Sequence, residues 1–347
     1  MTKRFGKWLI FALGLLLLWC LWRQLRRPYA QADGKSAILR IVADIPLPGP
    51  AVRFDYQSFD ETSGRLYIAH MNADQLVVFD TEKRELVKNL DGFKRVHGVI
   101  AVPEMDRVYA SVTGDHQVAV VDRKTLQAVA RVGPINYPDG LAFAPKVQRV
   151  FVSDEHGDAD VVIDAKTNTV LRKIPLGGGA GNTVYDEGGG RILVAVHGKN
   201  ELVSIDPEKL QITLRTNLPG IEDPHGIALD QENRLAFVAG EGNNQLAIVD
   251  LRTMEVIGKL QVGKDPDVLA FDARAKRLYV SAESGQVAVF RESQRGLIPE
   301  GRIDIPHAHT VSVDPKTHLI YFPLENINGK AVLRIMRWAG EDNSAAN

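Results

Sequence analysis

Cysteine is almost absent from this sequence. The 347 residues include one cysteine, Cys20, and it lies inside an apolar N-terminal run. The rest of the chain therefore has no disulfide, no thiolate metal ligand and no cysteine nucleophile. A domain without thiols is compatible with an oxidising compartment.

Charge of one sign is also lacking. The 42 basic and 43 acidic residues give a formal net charge of −1. A balanced chain has no general electrostatic attraction to nucleic acid or to anionic lipid. We therefore do not expect a nucleic-acid partner, and any ligand has to be argued from a local site.

Several catalytic motifs are missing as well. The sequence has no G-x-S-x-G nucleophile elbow and no P-loop. Two glycine-rich stretches, at 177–181 and 188–190, resemble phosphate loops in composition only, because no helical pattern follows them. These absences argue against a serine hydrolase and against a P-loop nucleotide hydrolase.

Long hydrophobic runs are limited to one N-terminal segment. Residues 8–22 are apolar, basic residues flank them on both sides, and an A-x-A-like sequence follows at 30–33. This pattern predicts an export signal over residues 1–34. The arginines after the apolar run leave open an uncleaved membrane anchor, so we expect a periplasmic protein or one anchored facing the periplasm or the outside.

A repeat of about 42 residues fills the remainder of the chain. Aromatic or apolar residues that open similar strand-like runs recur at spacings of 42, 42, 42, 44, 42 and 42 residues. They are Tyr67, Tyr109, Phe151, Leu193, Phe237, Tyr279 and Tyr321. Each unit contains four short β-rich runs separated by turn residues. Four strands in about 42 residues are typical of one β-propeller blade.

The repeat therefore predicts an all-β, seven-bladed β-propeller over residues 36–340, followed by a polar tail at 341–347. The last unit lacks a fourth strand, and residues 38–47 have the pattern of one. We expect this N-terminal strand to close the last blade. A second series (Asp80, Asp122, Asp164, Asp206 and Asp250) ends the third run of five units, and we expect these carboxylates to accept backbone N–H groups in the following turn.

The repeats resemble the YVTN-repeat propellers, the family that includes YncE-like periplasmic proteins. The segments that carry the resemblance are "LYIAHMNADQLVVFD" from Leu66, "VFVSDEHGDADVVID" from Val150 and "AFVAGEGNNQLAIVD" from Ala236. No unit keeps the literal Y-V-T-N. The resemblance implies a propeller and an exported binding protein, and it implies no particular chemistry.

One position of the repeat alternates between histidine and aspartate, as in "PHG" and "PDG". We call it the slot; it holds Asp55, His97, Asp139, Gly181, His225, Asp267 and His309. In a propeller it begins the innermost strand, at one mouth of the central channel. The turn after the second strand lies on the same face and contributes Met71, Thr113, Glu155, His197, Glu241, Glu283 and Glu325.

Histidines in three slots, near threefold around seven blades, suggest an open three-histidine metal site. His97, His225 and His309 would be the ligands of a divalent transition metal, with the aspartates orienting them. Two other interpretations stay open: a small-ligand site on the same face, with Asp55, Asp139, His197, Glu241 and Asp267 also in contact, or a structural polar lining. His70, His116, His156 and His318 are expected in solvent.

Three functions follow from these features. The first is a binding module that holds a small molecule, peptide or protein at the channel mouth. The second is a metal-dependent, lactonase-like hydrolase with Glu241 or Asp139 as general base, by similarity to gluconolactonase propellers that bind a divalent ion there. The third is a structural subunit of an envelope complex, held to the membrane by the N-terminal segment.

Overall fold

The computed structural model describes residues 38–293 and 296–340. The predicted export signal and the polar tail lie outside these residues. Within them, regular structure is almost entirely β-strand, and short 3-10 helices occur at Met71–Ala73, Pro103–Met105, Thr113–Asp115 and Glu155–Gly157. None of the helices in the described part is long and apolar enough to cross a membrane.

The strands follow each other with short turns, as the repeat predicts. In chain order they are β1 Leu39–Pro46, β2 Gln57–Asp60, β3 Arg65–His70, β4 Gln75–Asp80, β5 Glu85–Asp91, β6 Val96–Val102, β7 Arg107–Val112, β8 Gln117–Asp122, β9 Ala128–Val132, β10 Pro138–Ala144, β11 Arg149–Asp154, β12 Ala159–Asp164, β13 Thr169–Pro175, β14 Ala180–Asp186, β15 Arg191–Val196, β16 Glu201–Asp206, β17 Gln211–Asn217, β18 Pro224–Asp230, β19 Leu235–Gly240, β20 Gln245–Asp250, β21 Glu255–Gln261, β22 Pro266–Asp272, β23 Arg277–Ala282, β24 Gln286–Ser293, β25 Gly296–Asp304, β26 Ser312–Asp314, β27 Leu319–Ile327 and β28 Lys330–Trp338.

These strands form seven antiparallel sheets of four strands each. Blade one is β2–β5, and each following set of four makes the next blade up to blade six, β22–β25. Blade seven has the order β1-β28-β27-β26, with Leu39 of β1 opposite Trp338 of β28. The first strand of each blade contacts the first strand of the next, and β26 contacts β2, which closes the ring. The predicted seven-bladed propeller is confirmed.

The hydrophobic core lies between the blades. Each apolar cluster joins two neighbouring sheets; one of them packs Tyr109 and Val120 of blade two against Val150 and Val152 of blade three. The aromatic residues that mark the repeat, such as Tyr67 and Phe237, have no exposed surface. The side chains that define the period are thus the ones that hold adjacent blades together.

The repeated aspartates at the ends of the third strands act in turns, as predicted. Asp80 accepts the backbone N–H of Lys83 at 2.8 Å, and Asp164 accepts that of Lys166 at 2.8 Å. These backbone hydrogen bonds lower the pKa of Asp80 because they stabilise the charged carboxylate. The series is part of the fold, not of a site.

The ends of the inner strands opposite the slots carry contacts between blades. Arg123 of blade two donates to Asp60 of blade one at 2.7 Å, and His318 of blade seven contacts Asp272 of blade six at 2.7 Å. Both aspartates are buried. This face of the ring is therefore tied by side-chain contacts to buried carboxylates, whereas the slot face holds the cluster described next.

Candidate functional site

A β-bulge lies at the slot in five of the seven blades. In blade three, Pro138 lies opposite Asp154 while Leu141 lies opposite Val152, so the inner strand has one residue more than its neighbour. The same irregularity occurs in β6, β14, β18 and β22. A bulge re-aims a side chain that a regular strand would place elsewhere.

Glycine after the slot residue allows the inner strands to approach closely. A Cβ atom on Gly98 would lie 2.0 Å from the carbonyl oxygen of Asp139, and one on Gly226 would lie 1.8 Å from that of Asp267. The backbone of one blade therefore occupies the space that a side chain on the next blade would need. This contact draws the slot residues of different blades into one cluster.

The slot face contains a cavity of about 300 Å³, which we call the channel-mouth cavity. Its walls come from blades one, two, three, five and six. The lining residues are Arg53, Asp55, Tyr56, Met71, Arg95, His97, Tyr137, Asp139, Glu155, His225, Glu241, Asp267 and Glu283. Six of the eight predicted ligand-binding residues are among them; the other two, His197 and His309, lie within 4.8 Å of lining groups.

His225 has the most contacts in this cluster. Its Nδ1 lies 3.0 Å from Nε2 of His197, and its Nε2 lies 3.0 Å from the Tyr56 hydroxyl. The same Nε2 is 3.6 Å from a carboxylate oxygen of Asp267 and 4.0 Å from one of Asp139. Residues from four blades therefore meet at one imidazole.

His97 is held separately. Its Nδ1 is 2.7 Å from the carbonyl oxygen of Arg95, and its Nε2 is 3.1 Å from the hydroxyl of Tyr137. Asp55 lies farther from Nε2, at 3.9 Å. The ring is thus oriented by a backbone group and a phenol, and both of its nitrogens have partners.

Sequence reasoning missed three contributors to this site. Tyr56 directly follows the slot residue Asp55, and Tyr137 stands two residues before the slot residue Asp139. This closeness in sequence was the only signal that could have placed the two tyrosines in the site. The third is a bidentate ion pair between Arg53 and Glu283, with N–O distances of 3.0 and 2.5 Å. It joins residues 230 positions apart in the chain, and the repeat predicted only that Glu283 lies on the channel-mouth face.

The imidazoles of the cluster are neutral at neutral pH. Burial lowers the pKa of His97, His197 and His225 to about 4, because a charged ring loses its hydration there. Burial also lowers the pKa of His309. Neutral imidazoles can accept hydrogen bonds or bind metal ions.

The carboxylic groups are shifted in the other direction. Burial, followed by the charge of Asp267, raises the pKa of Asp55 well above its usual range. Burial raises the pKa of Asp267 to about 6 and, with the charge of Asp267, that of Glu241 to about 8. Glu283 differs: burial alone would raise its pKa, but the hydrogen bonds from Arg53 lower it. The cavity is therefore rich in acids that hold protons near neutral pH.

Two sets of side chains in the described part of the chain bring metal-ligating atoms within 4.8 Å of one another. One is His197, His225 and Glu241, and the other is Asp55, Asp267 and His309. The proposed trio of His97, His225 and His309 is not one of them. Each of these sets takes one slot histidine, and His97 belongs to neither, so the structure does not assemble the three-histidine centre expected from the spacing.

His70 lies inside the protein, contrary to the expectation of a solvated ring. It has no exposed surface and stacks on Phe54, with ring centroids 3.9 Å apart.

The slot of blade four holds Gly181, the one slot residue without a side chain, and the structure gives a steric reason for this glycine. A Cβ atom there would lie 3.0 Å from Nε2 of His197, so the imidazole takes the space that a slot side chain would need.

Comparison with known proteins shows the fold alone. The sequence matches no family model and no curated protein. Among solved structures, the chain is similar to hydrazine synthase of Kuenenia stuttgartiensis, at TM-score 0.70 and 14% identity, covering 90% of this chain and 99% of that one. It is similar to virginiamycin B lyase from Staphylococcus aureus, at 0.71 and 12%, covering 86% and 99%. A chain of the mitotic checkpoint complex matches at 0.73 and 10%, covering 90% and 95%.

Proposed function

We propose that the protein is a binding module that holds a small organic cation in the channel-mouth cavity. The observation that carries the proposal is the composition of the wall. Six carboxylic side chains, those of Asp55, Asp139, Glu155, Glu241, Asp267 and Glu283, face two guanidinium groups, those of Arg53 and Arg95. Arg53 is already paired with Glu283.

The excess of acidic over basic side chains in the wall favours a cation over an anion. A positive ligand next to Glu241, whose pKa is raised to about 8, would stabilise the carboxylate and release the proton that this acid holds in the free protein. An anion would find neutral histidines and two guanidinium groups in the described wall, one of which, that of Arg53, is already paired with Glu283. Ligand charge is therefore the property that this cavity selects most strongly.

The size and the aromatic groups of the cavity narrow the ligand further. A volume of about 300 Å³ is at the lower end for small-molecule pockets, so the ligand is small. Tyr56, Tyr137 and Met71 provide apolar surface, and an ammonium or guanidinium group can also contact an aromatic face. An aliphatic amine or guanidine fits this combination.

The wider role proposed here is that of an exported or membrane-anchored propeller that presents this cavity, as the N-terminal segment and the YVTN resemblance suggest. Propellers are versatile scaffolds, and the solved neighbours include a synthase, lyases and a subunit of a protein complex. Their variety supports a binding module whose ligand is decided by the site and not by the fold. A protein partner on the same face is compatible with it.

Calorimetric titration of the full chain with putrescine and agmatine tests the proposal, with 1,4-butanediol as the uncharged counterpart. We expect the amines to bind and the diol not to bind. Asp139→Asn and Asp267→Asn should each weaken binding at least about tenfold, since each removes a charge-assisted contact. Asp250→Asn, in a turn away from the cavity, is the matched control. Equal binding of the diol, or equal effects of the three variants, would contradict the proposal.

A metal-dependent hydrolase is the second candidate, favoured by the grouping of His197, His225 and Glu241. Two solved neighbours, virginiamycin B lyase and streptogramin B lyase, are bond-breaking enzymes on this scaffold. In such a mechanism Asp139 would be the general base, because Glu241 would be a metal ligand; burial raises the pKa of Asp139, so this role would need a nearby positive charge to deprotonate it. The metal titration described below tests the first requirement of this candidate.

A further inference from the structure

We propose that His197, His225 and Glu241 form a binding site for a divalent transition-metal ion. The site goes beyond binding of an organic cation and uses one edge of the same cavity. Two imidazoles and one carboxylate are the protein ligands of many open zinc and iron(II) sites. The set combines residues from the second-strand turns of blades four and five with a slot histidine of blade five.

The distances suit one ion. Ligand atoms bound at zinc–nitrogen and zinc–oxygen distances around a tetrahedral ion lie roughly 3.4 Å apart. Here Nδ1 of His225 is 3.0 Å from Nε2 of His197 and 3.7 Å from Oε1 of Glu241. These separations bracket the required value, so small side-chain rotations would place the three atoms around a metal.

Tyr56 supplies the outer contact that such a site needs. Its hydroxyl lies 3.0 Å from Nε2 of His225, the nitrogen that faces away from the other two ligands. When Nε2 donates to this hydroxyl, Nδ1 keeps its lone pair for the metal. A hydrogen bond on the second nitrogen is the usual way in which a metal-binding histidine is oriented.

An access route and an open coordination position are also present. His225 and Glu241 line the channel-mouth cavity, and the side chain of Glu241 is 33% exposed. An ion can therefore enter from the mouth and keep a position toward the cavity for water or a ligand. Three protein ligands with one open position is the arrangement of catalytic, not structural, zinc sites.

The second grouping, Asp55, Asp267 and His309, is a weaker candidate. Nε2 of His309 is buried without a hydrogen-bond partner, which would suit a ligand. However, the Arg53 guanidinium acts on all three groups and already supplies a positive charge there. The charges that act most strongly on Glu241 are other carboxylates, Asp267 and Glu155. A dication is therefore better accommodated at Glu241.

The test is titration of the full-length, chelator-treated protein with Co²⁺ and Zn²⁺ at neutral pH, following cobalt d–d absorption and heat. We expect one ion per chain, with nitrogen ligation visible in the cobalt spectrum. His197→Ala and the near-isosteric Glu241→Gln should each weaken Co²⁺ binding by about a hundredfold or more. Changes to residues that only hydrogen-bond a metal ligand typically weaken metal binding by about 10- to 100-fold, so the loss of a ligand should equal or exceed that range.

Two further variants make the result specific. His116→Ala, at an exposed ring bonded to the Asn136 carbonyl, should leave the affinity unchanged. His309→Ala should leave it within a few-fold of the wild type. Absence of Co²⁺ binding, loss of binding in His309→Ala with retention in His197→Ala, or equal losses in all four variants would overturn the proposal. Amine binding by the metal-free protein is measured separately, so either proposal can fail without the other.

Discussion

Gly226→Ala is expected to lower the free energy of unfolding by about 3 kcal/mol or more, at the upper end of the range for overpacking. The new Cβ would lie 1.8 Å from the carbonyl oxygen of Asp267 and 2.6 Å from Cδ1 of Leu269. A backbone atom cannot rotate away as a side chain can, so blades five and six must separate. Urea unfolding of the two proteins measures the change.

Gly258→Ala is the matched control for this prediction. Gly258 lies in the outer strand β21, and the atoms nearest to its Cβ would be those of the flexible side chain of Ile248, the first at 3.2 Å. We expect a change within about 1 kcal/mol, because small surface substitutions in strands have modest effects. Similar losses in the two variants would show that close approach of the inner strands is not what the glycine permits.

The second large effect is the pH dependence that Glu241 gives to the free energy of unfolding. In the folded protein its pKa is about 8, raised by burial and then by Asp267, Glu155, Glu283 and Asp265. In the unfolded chain it ionises near its ordinary value, about 4.3. The unfolded state therefore holds fewer protons than the folded state between these two values, and stability contributed by this group falls as pH rises through that window.

Replacing Glu241 with glutamine should remove this slope. After allowance for partial exposure, Glu241→Gln should gain about 2 kcal/mol relative to the wild type between about pH 5.5 and about pH 8. Chemical unfolding of the metal-free proteins at both pH values measures the difference. The buried histidines act in the opposite direction, losing stability as pH falls from about 6.5 toward 4, but they are common to both proteins and cancel.

The exposed Glu255→Gln variant, at the first residue of β21, provides the reference for a carboxylate without burial. Because its side chain lies in solvent outside the cavity, this variant separates the effect of the amide substitution itself from the effect of burial at Glu241. A Glu241→Gln difference that does not change with pH, or that changes with the opposite sign, would show that this carboxyl group is ionised in the folded protein across the whole window.

Most of the fold could be predicted from the sequence because the same pattern of core and turn residues is repeated along the chain. Each unit has a buried aromatic or aliphatic marker such as Tyr109 and strand runs of β-branched residues, and five units have an aspartate such as Asp122 that accepts hydrogen bonds in a turn. Local preferences and the period agree in every blade. Seven such units leave little choice beyond a closed ring of sheets.

The composition of the site could also be predicted, but its internal geometry could not. The slot period brings Asp139, His225 and Asp267 to one face. It does not say which ring meets which acid, because that depends on bulges and side-chain rotation. His97 is taken by Tyr137 and the Arg95 carbonyl, whereas His225 meets His197 and Tyr56.

Contacts between distant parts of the chain were the least predictable feature. The Arg53–Glu283 pair crosses from blade one to blade six and depends on two long side chains adopting one geometry. His70 illustrates the same limit, because stacking on Phe54 buries a residue that its turn position would leave in solvent. Both are results of tertiary packing, to which a repeat pattern is insensitive.

Proton release on ligand binding is the most direct test of the claim that protonated acids of the channel-mouth cavity receive a cation. It is measured by titrating the metal-free protein with putrescine at neutral pH in buffers of different ionisation enthalpy. We expect net release of on the order of one proton per bound amine, and a smaller release in Glu241→Gln. Binding without proton exchange, or with proton uptake, would contradict the account.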